Sequence, residues 1–151
     1  LKTFTKITNC FGVFVLTICL LVGSTIASSQ NSKAESILGS TEDNGIKLTL
    51  HSYEIQNYGQ EMIVNYTIQA STGSLTNEDG MALIKDLDFS IGSRVVKGKD
   101  AWHKKIGNQK YQGVMKVDLP QYRPATSNVI FNTDSISNQK GKWTINFQIQ
   151  K

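Results

Sequence analysis

The sequence predicts an all-β domain, an antiparallel sandwich of about seven strands, and three observations carry that reading. Stretches of alternating apolar and polar residues recur along the chain, as strands with one buried and one wet face require. The last of them sets Trp143, Ile145, Phe147 and Ile149 on one face and Thr144, Asn146, Gln148 and Gln150 on the other. Turn residues separate these stretches at short intervals, and no stretch carries the apolar repeat of an amphipathic helix.

The chain has 151 residues, room for one domain. Its first part reads as an address. Lys2 and Lys6 precede the apolar run from Phe11 to Val22, and small and polar residues follow. Basic, apolar and small segments in that order are the signature of a secretory signal peptide. The run is shorter than the ~20 residues a spanning helix needs. Extended through Ile26 it could serve as an uncleaved anchor. Cleavage fits after Ala27 or after Ala34. Residues 1–34 are therefore expected to be a signal peptide or membrane anchor, residues 35–43 a linker and residues 44–151 the β domain. Cys10 and Cys19, the two cysteines, both lie in the first segment. The domain must then be held by its core, without disulfides. Leu16-Thr17-Ile18 ahead of Cys19 lacks the small residue that lipoprotein processing requires.

Strand by strand, Asn44-Gly45 marks a turn. Ile46, Leu48 and Leu50 then alternate with Lys47 and Thr49, and the phase shifts near His51 to Tyr53, the mark of a bulge. Asn57-Tyr58-Gly59-Gln60 predicts a hairpin connection into the strand built on Met62, Val64, Tyr66, Ile68 and Ala70. Residues 71–80 are polar and glycine-containing, a loop. Leu83, Leu87, Phe89 and Ile91 share a face, with Asp86 and Asp88 on the other. Val95-Val96 predicts a short strand ended by Gly98, and residues 99–109 a long basic loop. Tyr111, Gly113, Met115, Val117 and Leu119 form the next strand, which Pro120 and Pro124 end because proline cannot continue a ladder. Val129, Phe131 and Thr133 make the sixth strand, and the stretch from Gly141 the seventh. Seven such strands point to immunoglobulin-like topology, without the cysteine–tryptophan–cysteine pattern of antibody domains.

Charge is unevenly distributed. Three of the 16 basic residues, Lys2, Lys6 and Lys33, precede Glu35, which leaves 13 against 12 acidic residues in the remainder. Residues 94–116 concentrate seven of those bases, with Asp100 as their only acid. The stretch interleaves Arg94, Lys97, Lys99, Lys104, Lys105 and Lys110 with Trp102, His103 and Tyr111. Exposed aromatics beside cations combine apolar area with charge, a recurrent composition of binding sites. These nine residues are the candidate contact surface. An anionic envelope polymer or an envelope protein is the expected partner, and nucleic acid is not, given the secretory address.

Chemistry is weakly encoded. His51 and His103 stand about fifty residues apart with no thiol in the domain, too few ligands for zinc. Asn77, Glu78 and Asp79, or Asp86 and Asp88, lack the spacing of a calcium loop. No nucleophile elbow and no phosphate-binding glycine loop occurs. No metal or cofactor is expected. Asp86 and Asp88 are two carboxylates on one predicted strand, roughly 7 Å apart, and provide the alternative of a small envelope glycan hydrolase.

Several stretches together carry a family likeness: residues 44–50, residues 62–68, Tyr111-Gln112-Gly113-Val114, Asp118-Leu119-Pro120 and Gly141-Lys142-Trp143-Thr144-Ile145. Over residues 44–150 the chain resembles an extracytoplasmic immunoglobulin-like domain of unknown function found on membrane proteins of Gram-positive bacteria, some of them anti-sigma-factor-like. The resemblance implies a secreted or tethered, non-enzymatic module and carries over no catalytic residue. An accessory structural subunit that pairs a strand edge with a partner protein is a further alternative.

Overall fold

A computed structural model describes residues 37–71, 75 and 82–151. The expected signal or anchor segment, and Asn77, Glu78 and Asp79 with it, lie outside the described residues. Nine strands occur among the described residues: β1 (Gly39–Asp43), β2 (Ile46–Gln56), β3 (Glu61–Ala70), β4 (Ile84–Lys85), β5 (Asp88–Ile91), β6 (Arg94–Gly107), β7 (Lys110–Asp118), β8 (Thr126–Ile136) and β9 (Gln139–Gln150). All their pairings are antiparallel, so the predicted all-β antiparallel class holds. The strands form one continuous sheet. Its order runs β1-β2-β3-β7-β6-β5-β8, with β4 beside β5 on β8 and β9 on the far edge of β8.

The hairpins follow from their turn residues. Asn44 and Gly45, both at positive φ, join β1 to β2, and Ser137 and Asn138, also at positive φ, join β8 to β9. Such turns twist in the same sense as the strands they connect. The bulge expected near His51 is present as a register shift between Leu50 and Ser52. Residues 39–43, expected as linker, form β1 instead. They pair fully with the first half of β2 because Asn44-Gly45 folds them back on it.

β6 departs most from expectation. In place of a two-residue strand and a basic loop, one strand of 14 residues runs through both halves of the molecule. Its first residues pair with β5 and the rest with β7. The crossing falls near Gly98, where an added Cβ would sit 2.8 Å from the Phe89 ring. Two register shifts, between Asp100 and Trp102 and between Lys105 and Gly107, break the alternation by which a strand is recognised. The short fourth strand and the basic loop are therefore one bulged, largely exposed strand. The stretch 83–91 is corrected in the other direction. Asp86 adopts φ 51 and separates β4 from β5, so Asp86 and Asp88 do not share one regular strand.

Curling of the sheet brings its ends together into a nearly closed barrel. β6 makes the closure on one side. On the other, β1 and β2 face β9 across side-chain bonds: Asn44 Nδ2 donates to the Lys140 carbonyl (2.8 Å), and the Lys142 amide to Asp43 Oδ2 (2.6 Å). Trp143 Nε1 donates to the Ile46 carbonyl (2.8 Å), and the Gln150 amide to the Tyr53 hydroxyl (3.0 Å). The core fills the space between. Trp143, Tyr66, Phe89 and Phe131 are its largest buried side chains, surrounded by Ile46, Leu48, Leu50, Met62, Ile68 and Met115. Phe89 and Phe131 meet edge to face at 5.1 Å, a favoured aromatic geometry.

Candidate functional site

Alternation along β6 and β7, offset by the bulge at residue 101, sorts the nine candidate residues onto two faces. Lys97 pairs across from Asp88, Lys99 from Lys116, Trp102 from Val114 and Lys104 from Gln112; Lys110 pairs with Gln69. These five point away from the core. Arg94, His103, Lys105 and Tyr111 pair with Ile91, Gly113, Tyr111 and Lys105 in turn, on the face that turns inward. Arg94 and Lys105 stay exposed because they lie near the two ends of the barrel, whereas Tyr111 is buried and His103 half-buried. The structure thus keeps together about half of the predicted surface and places His103 and Tyr111 elsewhere.

The outer face of β2, β3, β7 and β6 is ruled in rows. Ser52, Asn65, Val114 and Trp102 form one row, and Thr49, Thr67, Gln112 and Lys104 the next. Within the first row Asn65 Nδ2 donates to Ser52 Oγ (3.0 Å), and His51, at the β2 bulge, places its Nε2 3.0 Å from Thr67 Oγ1 in the second. Trp102 is half exposed, and Lys104 Nζ stands 5.6 Å from the centre of its ring, within cation–π range. Trp102 and Ile106 border a shallow groove of about 450 Å³ floored by Asn65, Thr67, Gln112 and Val114, with Lys110 at one end. Lys99 lies one row further along, directly across from Lys116. Like charges opposite one another are unfavourable, and the Lys116 ammonium turns to Glu61 at 3.5 Å. Among the described residues no ion pair involves Lys99, Lys104 or Lys110.

Lys97 is different. Its ammonium lies 2.6 Å from Asp88 Oδ1, and that contact raises its pKa above the ordinary lysine value. It also takes up the Asp88 carboxylate, which the hydrolase alternative would use with Asp86.

A second constellation escaped sequence reasoning. The bulge at residue 101 lets Asp100 and His103, three residues apart, both face inward. The Asp100 carboxylate is fully buried and accepts from Tyr66 Oη (2.8 Å), the Leu83 amide (2.8 Å) and, more weakly, the Ile84 amide (3.4 Å). His103 Nδ1 lies 2.9 Å from Asp100 Oδ2; with the carboxylate ionised, that nitrogen carries the hydrogen. Burial, and then the neighbouring Asp100 charge, push the Tyr66 pKa far above that of a free tyrosine. Gly113 makes the arrangement possible, because a Cβ there would fall 2.5 Å from the Tyr66 ring and from the Trp102 carbonyl. The cluster ties the start of β4 to the middle of β6. Its sequence signal was a lone acid in a basic stretch with a histidine three residues on, a pattern meaningful only once the bulge is known.

Among the described residues no group of three or more histidine, cysteine, aspartate or glutamate side chains could hold a metal ion. No helix of those residues is long and apolar enough to cross a membrane. No model of a known protein family matches the chain, and a search of curated proteins finds no significant match.

Proposed function

We propose that this protein is a non-enzymatic binding module of the bacterial cell envelope, secreted or tethered through its N-terminal segment, which holds an anionic polymer on the outer β2–β3–β7–β6 face. The observation that carries the reading is the Trp102–Lys104 pair beside rows of hydroxyl and amide side chains. A half-exposed indole offers an apolar platform, Asn65, Thr67 and Gln112 offer hydrogen bonds, and Lys99, Lys104 and Lys110 supply charge. The residue set for this function is Lys99, Trp102, Lys104 and Lys110, a subset of the nine in the sequence. The finer reading of the fold, an immunoglobulin-like sandwich, belongs to the same proposal. Its support is that β1 and β4 are short accessory strands, which leaves seven others in two facing halves joined by β6. The sequence resemblance to extracytoplasmic domains of Gram-positive membrane proteins, and the address it implies, belong to the same proposal.

The test is co-sedimentation with cell walls of a Gram-positive bacterium. Wild-type protein is expected in the pellet at low salt, and the Trp102→Ala/Lys104→Ala variant in the supernatant. Equal pelleting of the two proteins sinks the assignment of this face.

A further inference from the structure

The end of the barrel near the β5–β6 turn holds a second cationic site, distinct from the Trp102 face. A pocket of about 390 Å³ opens between the turn Gly92–Ser93 and the segment from Pro120 to Asn128. Arg94 and Arg123 line it, together with Tyr122 and Ser127, and no carboxylate does. Arg123 comes from the β7–β8 connection. Its Nη1 donates to the Gly59 carbonyl (2.7 Å), which fastens that connection to the β2–β3 turn. Its other two nitrogens, Nε and Nη2, are enclosed and have no acceptor among the described residues.

A guanidinium has five N–H donors and cannot shed its charge. Enclosing it without an acceptor or counter-charge is costly, and unsatisfied buried groups of this kind mark a functional constraint or an unseen partner. The fastening role needs one nitrogen only and leaves the other two unexplained. The neighbourhood is built for exposure as well. Tyr58, on the turn that Arg123 holds, and Tyr122, beside it in sequence, are both largely exposed. Asn57, Tyr58 and Gly59 all adopt positive φ, an uncommon conformation for a bulky residue such as tyrosine and one associated with functional strain.

We propose that this pocket binds an oxyanion, a carboxylate or phosphate group, with Arg123 at its base and Arg94 at its rim. Both ligands present planar or near-planar oxygen pairs that match the guanidinium fork. The lining supplies two positive charges and no competing acid, so an anion entering it meets no repulsion. Arg94 and Trp102 are eight residues apart on β6, about 25 Å at the rise of a strand, and the proposal therefore stands independently of the polymer-binding face.

The experiment is an NMR titration of the full chain with sodium phosphate and, separately, sodium acetate, against sodium chloride at matched ionic strength. The amides of Gly92, Ser93 and Ser127 and the Arg123 Nε–H resonance are expected to shift saturably with at least one of the two anions. The stronger binder identifies the group as phosphate or carboxylate. Arg94→Ala, an exposed position, is expected to keep the fold and weaken binding about tenfold, the loss of one charge-assisted contact. Trp102→Ala is expected to leave the titration unchanged. Small linear shifts with both anions, or saturable binding that Arg94→Ala does not weaken, would overturn the proposal. Loss of this titration together with intact wall binding separates its failure from that of the face described above.

Discussion

Single residues carry the stability of this domain where a polar group is buried. Asp100 gathers four donors in a fully buried position, and Asp100→Ala leaves the Tyr66 hydroxyl and the Leu83 amide without their acceptor. A loss of about 3 kcal/mol follows, measurable by urea denaturation. Tyr66 also confers a pH dependence whose sign is fixed by its raised pKa. The folded state keeps the phenol protonated above the ordinary value of 10.0, at which the unfolded chain ionises. Stability from this group is fully present below pH 10 and is lost as the pH rises beyond it. The slope is about 1.4 kcal/mol per pH unit for one such group. Tyr66→Phe is expected to flatten the alkaline limb of the stability profile; an unchanged limb contradicts the account. Gly113→Ala sets a methyl against the Tyr66 ring and the Trp102 carbonyl, one of which is backbone and cannot turn aside. It is expected to cost about 1–3 kcal/mol, read as a lowered urea midpoint.

At the level of elements, the legibility of the sequence followed the regularity of each strand. β3 and β7 alternate without interruption, as does β9 from Trp143 onward, and their inward residues were readable from the period of two alone: Met62 to Ala70, Tyr111 to Val117, Trp143 to Ile149. β6 was hidden for a physical reason. Most of its side chains are exposed, so few large apolar groups mark its inner face, and its two bulges reset the phase. β1 was hidden because its five residues, Gly-Ser-Thr-Glu-Asp, contain no apolar side chain; its pairing depends on the turn that follows. The candidate site was half legible for the same cause. Composition marked the right stretch, but only the bulge at residue 101 decides that Trp102 faces out while Asp100 and His103 face in. Deleting Ala101 removes the extra residue and leaves Asp100 across from Met115 and Trp102 across from Val114, so each keeps its face. Such a variant is expected to keep the Asp100 cluster and to stay within about 1 kcal/mol of wild-type stability, by denaturant melts. A loss of ~3 kcal/mol, the cost of breaking the cluster, would show that the bulge itself holds Asp100 in place.

For the whole molecule, the nearly closed sheet separates two kinds of surface. The outer face of the β2–β3–β7–β6 half collects lysines and Trp102, while the rim beside the β5–β6 turn collects Arg94, Arg123 and two exposed tyrosines. Near-neutral net charge in residues 35–151 conceals this polarity, which sequence counting detected only as a basic stretch. A charge-driven partner is held less tightly as salt rises, since exposed charges are screened over about 8–10 Å at physiological ionic strength. The most direct measurement of the central claim is an NMR titration of the isotope-labelled protein with a soluble anionic wall polymer at low and high salt. The account predicts shifts concentrated on the Trp102 indole and on residues 65, 67, 112 and 114, weakening as salt increases. Shifts confined to other surfaces, or none at a concentration that saturates wall binding, would contradict it.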